Sequence, residues 1–240
     1  MNIRMHYLLK YMLYVVLLNR RKRLFYKQKY EMFNNNTIVI PKGIRKKINI
    51  SVVGKNNKIV IPGSVNGSII ISVFGDNNNV CLGENIYAGK LDIAVGQNHK
   101  NFGPVHDCKV QIGDGSSFES TQIIIKNSYA KLVIGKRCMF AFNVTLYHTD
   151  SHPIFDLASG KIINKVKTMD IGNHVWIGAN ATVLKNTYIS DDCVIGWGSV
   201  ISGKFDTKHC VIAGSPGKVV KENITWDSDG SKGYVQNEKD

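Results

Sequence analysis

His148, Asp150 and His152 fall within a few residues of one another, with the hydroxyls of Thr149 and Ser151 between them. Imidazole changes charge near neutral pH, so a histidine in a polar segment can take a proton from a hydroxyl and return it later. The same residue type also packs cores and loops, and for an isolated histidine packing is the better reading. His148 in particular can hydrogen-bond loop backbone. Trp176 is the second residue with chemical potential: its place in the surrounding pattern is an outer one, where an indole is unusual unless something covers it. The other histidines (His6, His99, His106, His174 and His209) are scattered. They supply no convincing set for a metal, and none is expected.

The elements that carry these residues are organised by repetition. From Ile171 a branched aliphatic residue recurs every six positions: Ile171, Ile177, Val183, Ile189, Ile195 and Ile201. Small residues often follow them (Gly172, Gly178, Ser190, Gly196, Ser202), and offset four is mostly small as well (Ala181, Thr187, Cys193, Ser199). A period of six fits neither a helix nor a simple alternating strand. It fits a chain that turns a corner every six residues. Three faces then make one coil of about 18 residues, and stacked coils bury a column of Ile and Val. The sequence predicts a solenoid.

The period is weaker upstream, at Ile134, Phe140 and Leu146 and at Ile112, Phe118 and Ile124. Val53–Ile59 and Phe74–Val80 carry matching Gly and Asn residues where a left-handed corner is easiest. Segment 102–110 breaks register and reads as an inserted loop. The longest interruption, 147–169, holds His148 and His152, and a long loop inside a regular stack is more often functional than idle. The expected organisation is a basic N-terminal helical segment over 1–36, the repeat domain over 37–222 and a C-terminal tail over 223–240. Within the tail, residues from Trp226 onward read as mobile.

Composition narrows the setting. The 240 residues carry 43% hydrophobic and 20% charged side chains, which excludes a disordered tail or a fibre. No apolar run approaches the roughly 18 residues of a spanning helix. Five cysteines without a C-x-x-C pattern argue against a disulfide framework and for a reducing compartment. Residues 1–30 hold eight Lys and Arg and no acid, most of the formal charge of +13. Their apolar run Tyr7–Leu18 beside that cluster suits a helix packed on the domain or a neighbouring subunit. It also suits contact with a membrane surface or an acidic polymer.

The run Ile171–Ile201, with His-Val-Trp-Ile-Gly at 174–178 and Ala-Gly-Ser-Pro-Gly-Lys at 213–218, resembles the hexapeptide-repeat acyltransferases. The resemblance is specific over residues 130–222 and looser over 40–130. It implies an all-β fold, a left-handed parallel β-helix with an inserted active-site loop, assembled as a homotrimer and using acetyl-CoA as co-substrate. Asp150-Ser151-His152 resembles the Asp-x-His motif of that family, which makes His152 the general base, with His148 as runner-up and Asp150 as a residue that can orient the ring. Sugar-polymer O-acetyltransferases of this fold place a tryptophan beside that histidine, and Trp176 matches it. The alternative for Trp176 is an inter-subunit contact. The resemblance also implies a CoA groove at Ala179, Trp197, Gly198, Ser202 and Lys204, with Lys218 and Lys221 near the nucleotide phosphates. Pro216-Gly217 and the bulk of Trp197 depart from the family's usual residues.

The implied activity is acetyl transfer to a hydroxyl of a bacterial surface glycan, either a capsule polymer (a sialic-acid-containing one included) or lipopolysaccharide. N-acetylation of an amino sugar or nucleotide sugar, a non-catalytic β-helix and a carbonic-anhydrase-like relative remain as alternatives. Nucleic acid is not an expected partner. The expected location is the cytoplasm, with residues 1–30 as a point of contact with the inner face of the membrane.

Overall fold

The structure is a computed structural model and describes residues 34–41, 48–97 and 103–228. The helix expected within 1–36 falls almost wholly outside the described residues, as does most of the C-terminal tail. All regular elements among the described residues are β-strands, the first at Thr37–Val39 and the last at Gly217–Glu222.

Between Thr168 and Ile201 each turn of chain contributes three short strands. Thr168–Ile171, Trp176–Ile177 and Thr182–Leu184 pair in parallel with Tyr188–Ile189, Val194–Ile195 and Val200–Ile201. Hydrogen-bonded partners in this region lie 18 residues apart, as a six-residue corner repeated three times requires. Stacking places consecutive turns about 4.8 Å apart and satisfies each strand's N–H and C=O from its neighbours.

The aliphatic period points inward: Ile171, Ile177, Val183, Ile189, Ile195 and Ile201 are at most 1% exposed. The small residues at offset four (Ala181, Thr187, Cys193 and Ser199) are buried too. The corners fall on His174, Asn180, Asn186, Asp192 and Gly198, whose φ values run from 53° to 67°. That left-handed conformation strains a side chain unless it is absent or short and polar, hence the Asn, Asp and Gly. Cys108 and Cys138 belong to the same core, and burial pushes each thiol up to about 11. They pack as small apolar residues.

Toward the N-terminus the turns lengthen, with a spacing of 21 residues between partners. The Gly/Asn corners read from sequence are present, Asn56 and Asn77 having φ of 54° and 59°. Inside them Asn36, Asn57 and Asn78 form a ladder. Nδ2 of Asn57 donates to Oδ1 of Asn36 at 3.1 Å, and Nδ2 of Asn78 to Oδ1 of Asn57 at 3.1 Å. Gly75 is obligatory there, because a Cβ would sit 1.8 Å from the Val105 carbonyl oxygen. Segment 102–110 differs from the expected loop. Val105, Cys108 and Val110 are buried, and Lys109–Ile112 pairs in register with Asn79–Leu82. Inward apolar residues hold it in the stack although its spacing is irregular.

Candidate active site

The inserted loop leaves the stack after Val144–His148 and rejoins it at Thr168–Ile171, so partners across it are 37 residues apart. His148, at its root, is fully buried. Its Nε2 donates to the Lys131 carbonyl at 3.1 Å, and its Nδ1 is enclosed with no hydrogen-bond partner among the described residues. Burial, followed by the Lys185 charge among the lowering influences, brings its pKa down to about 4. A neutral imidazole sealed in the core cannot reach a substrate hydroxyl, so His148 is a packing residue and not a second base.

His152 is exposed, four residues further along. The turn that presents it is built from the loop's own polar groups. Thr149, buried, donates its hydroxyl to Oδ1 of Asn127 at 2.7 Å and accepts the Ser151 N–H at 2.9 Å. Ser151 takes the left-handed conformation (φ 63°), and the His152 N–H then closes on the Asp150 carbonyl at 2.7 Å. Asp150 faces the loop's return limb and the next turn: its Oδ2 accepts from Nδ2 of Asn164 at 2.7 Å and pairs with Nζ of Lys185 at 3.2 Å. Its carboxylate thus fixes the backbone around His152.

Other groups gather on the preceding turn. The Tyr147 and Ser151 hydroxyls share a hydrogen bond of 2.9 Å, and Nζ of Lys126 lies 5.8 Å from the centre of the Tyr147 ring. The far end of the loop is apolar and exposed, with Phe155 bridging Ile162, and Ile154, Leu157 and Ile163 open to solvent.

Trp176 lies on a different face. Its strand pairs with Met139–Phe140 and Val194–Ile195, whereas the His152 loop springs from the corner between Val144–His148 and Thr168–Ile171. The indole is half-buried beneath Trp226, with ring centroids 6.0 Å apart. Trp226 stacks flat on His174 at 4.2 Å and donates its Nε1 to the His174 carbonyl at 2.9 Å. His174 in turn holds Oδ1 of Asp192 at 2.9 Å. The chain expected to be mobile from Trp226 onward is therefore packed at Trp226, and this is the cover that the position of Trp176 calls for. Beside it is a cavity of about 370 Å³ lined by residues that include Arg137, Met139 and Trp226.

The residues expected to hold CoA separate into three places. Ala179, Trp197 and Gly198 share one corner, where the Gly198 N–H donates to the Ala179 carbonyl at 2.9 Å and Trp197 is 75% exposed. Ser202 and Lys204 lie at the next corner, the one that also carries the His152 loop, and Lys204 pairs with Asp206 at 2.9 Å. Lys218 and Lys221 are exposed on Gly217–Glu222, which folds back antiparallel on Cys210–Gly214. Asn164, Lys185 and Trp226 escape sequence reasoning. Asn164 and Lys185 obey no motif, and Trp226 sits in a polar stretch where only its size signals a packing role.

Comparison with known proteins agrees with this architecture. Residues 169–203 match the family model "Bacterial transferase hexapeptide (six repeats)". A polysialic acid O-acetyltransferase of Neisseria meningitidis is 35% identical over 120 residues, 50% of this chain and 55% of that protein. One of Escherichia coli O1:K1 / APEC is 33% identical over 112 residues, 47% of this chain and 34% of that protein. The chain thus spans about half the length of the first and a third of the second. Among solved structures, the polySia-specific acetyltransferase NeuO superposes with a TM-score of 0.50 at 29% identity, covering 80% of this chain and 78% of that one. Residues 169–203 thus match the transferase hexapeptide repeat, and about half of the chain is similar to polysialic acid O-acetyltransferases.

Proposed function

We propose that the protein is an O-acetyltransferase that moves the acetyl group of acetyl-CoA to a hydroxyl of an acidic bacterial surface glycan, a sialic-acid-containing capsule polymer being the preferred acceptor. The observation that carries this reading is the exposed His152, held by a polar loop that interrupts a regular stack. The similarity to polysialic acid O-acetyltransferases supports the acceptor class. In the proposed reaction His152 takes the acceptor's hydroxyl proton as the oxygen attacks the thioester carbonyl. The C–S bond breaks, and the imidazolium returns the proton to the departing thiolate.

The proposed assembly is a trimer of left-handed β-helices. Two features favour an interface at the loop: its exposed apolar tip, and the placement of His152 and Trp176 on different faces of one chain. In a closed ring, the loop of one copy meets the neighbouring copy's Trp176 face, which reunites the histidine and the tryptophan. The pantetheine arm then runs along the His152 corner past Ser202 and Lys204, opposite the neighbour's Ala179, Trp197 and Gly198. Lys218 and Lys221 approach the phosphates.

The test is mass spectrometry of polysialic acid, a neutral capsule glycan and a nucleotide-linked amino sugar after incubation with acetyl-CoA. Base-labile acetylation of the polysialic acid is expected. Base-stable acetylation of the amino sugar instead would establish N-acetylation, and no product from any acceptor would remove the enzymatic reading.

A further inference from the structure

Asn164 makes three hydrogen bonds, all to the segment that presents His152. Its Nδ2 donates to Oδ2 of Asp150 at 2.7 Å and to the His152 carbonyl oxygen at 2.9 Å, while its Oδ1 accepts the Ile154 N–H at 2.8 Å. One side chain thus grips the residues two before and two after the histidine, and the histidine's own main chain. The grip comes from the return limb of the loop, where the Ile163 N–H meets the Ile154 carbonyl at 2.9 Å. That limb is anchored independently to the next turn of the stack. Nδ2 of Asn186 donates to the Lys165 carbonyl at 2.8 Å, and Oδ1 of Asn186 accepts the Lys167 N–H at 2.6 Å. Lys185, beside Asn186, holds the same Asp150 oxygen at 3.2 Å.

We propose that Asn164 is a positioning residue for His152, transmitting the rigidity of the stacked turns to an exposed imidazole. The inference rests on the reading of His152 as the general base. Its physical content is that an exposed loop histidine owes its position to the hydrogen bonds that hold its main chain. A base displaced by about 1 Å loses up to 10²-fold in rate. Only an amide meets the demand at this point, since two donors and one acceptor are needed at once. Aspartate has the same shape but lacks both donors, and it places a second carboxylate against Asp150.

The experiment uses the full chain with acetyl-CoA and polysialic acid, comparing Asn164→Ala, Asn164→Asp, His152→Ala and the double variant Asn164→Ala/His152→Ala. Asn164→Ala is expected to lower kcat by about 10- to 100-fold with KM for acetyl-CoA unchanged, and Asn164→Asp to be no better. In the His152→Ala background, removing Asn164 is expected to cost nothing further, because both substitutions act through one group. An added loss in the double variant, or a wild-type kcat in Asn164→Ala, overturns the proposal. If His152→Ala is itself fully active, the base reading fails and not the positioning of the loop. A second readout needs no turnover. The His152 ring protons, identified in the NMR spectrum by their loss in His152→Ala, are expected to shift toward free histidine in Asn164→Ala and Asn164→Asp while thermal unfolding stays cooperative. Unshifted ring protons overturn the proposal regardless of activity.

Discussion

The two loop histidines lie four positions apart and have opposite environments, which makes them separable by experiment. If His152 is the base, His152→Ala should lower kcat by about 10²–10⁴ while acetyl-CoA still binds. An unchanged kcat, measured with saturating acetyl-CoA, would remove the assignment. His148 bears on stability instead. Its folded pKa of about 4 lies below the 6.5 of a free histidine, because burial penalises the charged ring. Between those values the unfolded chain binds the proton and the folded one does not, so stability rises with pH across the window. Acidification from pH 7 to about 4.5 should therefore destabilise the protein through this group, by on the order of 3 kcal/mol at most. His148→Gln should flatten that slope in urea unfolding followed at several pH values; an unaltered slope would show that other groups carry it. The place of His152 was legible because a motif fell in the longest break of the repeat. The burial of His148 was not, because the strand Val144–His148 continues its inward alternation through to the histidine, beyond where the sequence reading began the loop.

At the scale of elements, the aliphatic period foretold the inward column from Ile171 to Ile201, since one buried residue per face is what a stacked turn needs. The corner residues follow an equally regular period that the aliphatic signal masks. His174, Asn180, Asn186, Asp192 and Gly198 stand six apart in left-handed conformation. A β-branched residue there should be costly: Asn180→Val is expected to lose about 1–2 kcal/mol in chemical unfolding, and Asn180→Gly far less. Equal losses would show that Asn180 acts through its side-chain bond to Asn143 and not through its backbone. Segment 102–110 and Trp226 were misread for a common reason. Both lack periodicity, yet Val105, Cys108 and Val110 pack into the core of the stack and Trp226 packs on its outside. Trp226→Ala should bare Trp176 and His174, giving a red-shifted tryptophan emission and stronger acrylamide quenching of the remaining indoles. Unchanged quenching would mean that Trp226 does not cover Trp176 in solution.

For the whole molecule, sequence and structure divide the work unevenly. The stack supplies a rigid frame, while the largest charge asymmetry lies in residues 1–30, with eight basic side chains and no acid. Such a field raises the encounter rate and local concentration of an anionic polymer, and its reach shrinks from about 10 Å at 0.1 M salt to about 3 Å at 1 M. A long chain of acidic sugars presents many charges to the segment while one residue is at the site, whereas a short fragment cannot occupy both. Deleting residues 1–30 is therefore expected to raise KM for long polysialic acid more than for a short oligomer, with the difference vanishing at high salt. If the segment instead packs between subunits or on a membrane surface, deletion should change the sedimentation coefficient or vesicle recovery and leave both substrates equally affected. Because the proposed ring joins the His152 loop of one copy to the Trp176 face of the next, sedimentation and KM must be measured on the same preparations. A loss of polymer preference in a particle of unchanged size assigns the segment to the acceptor. A KM indifferent to both salt and chain length removes that role.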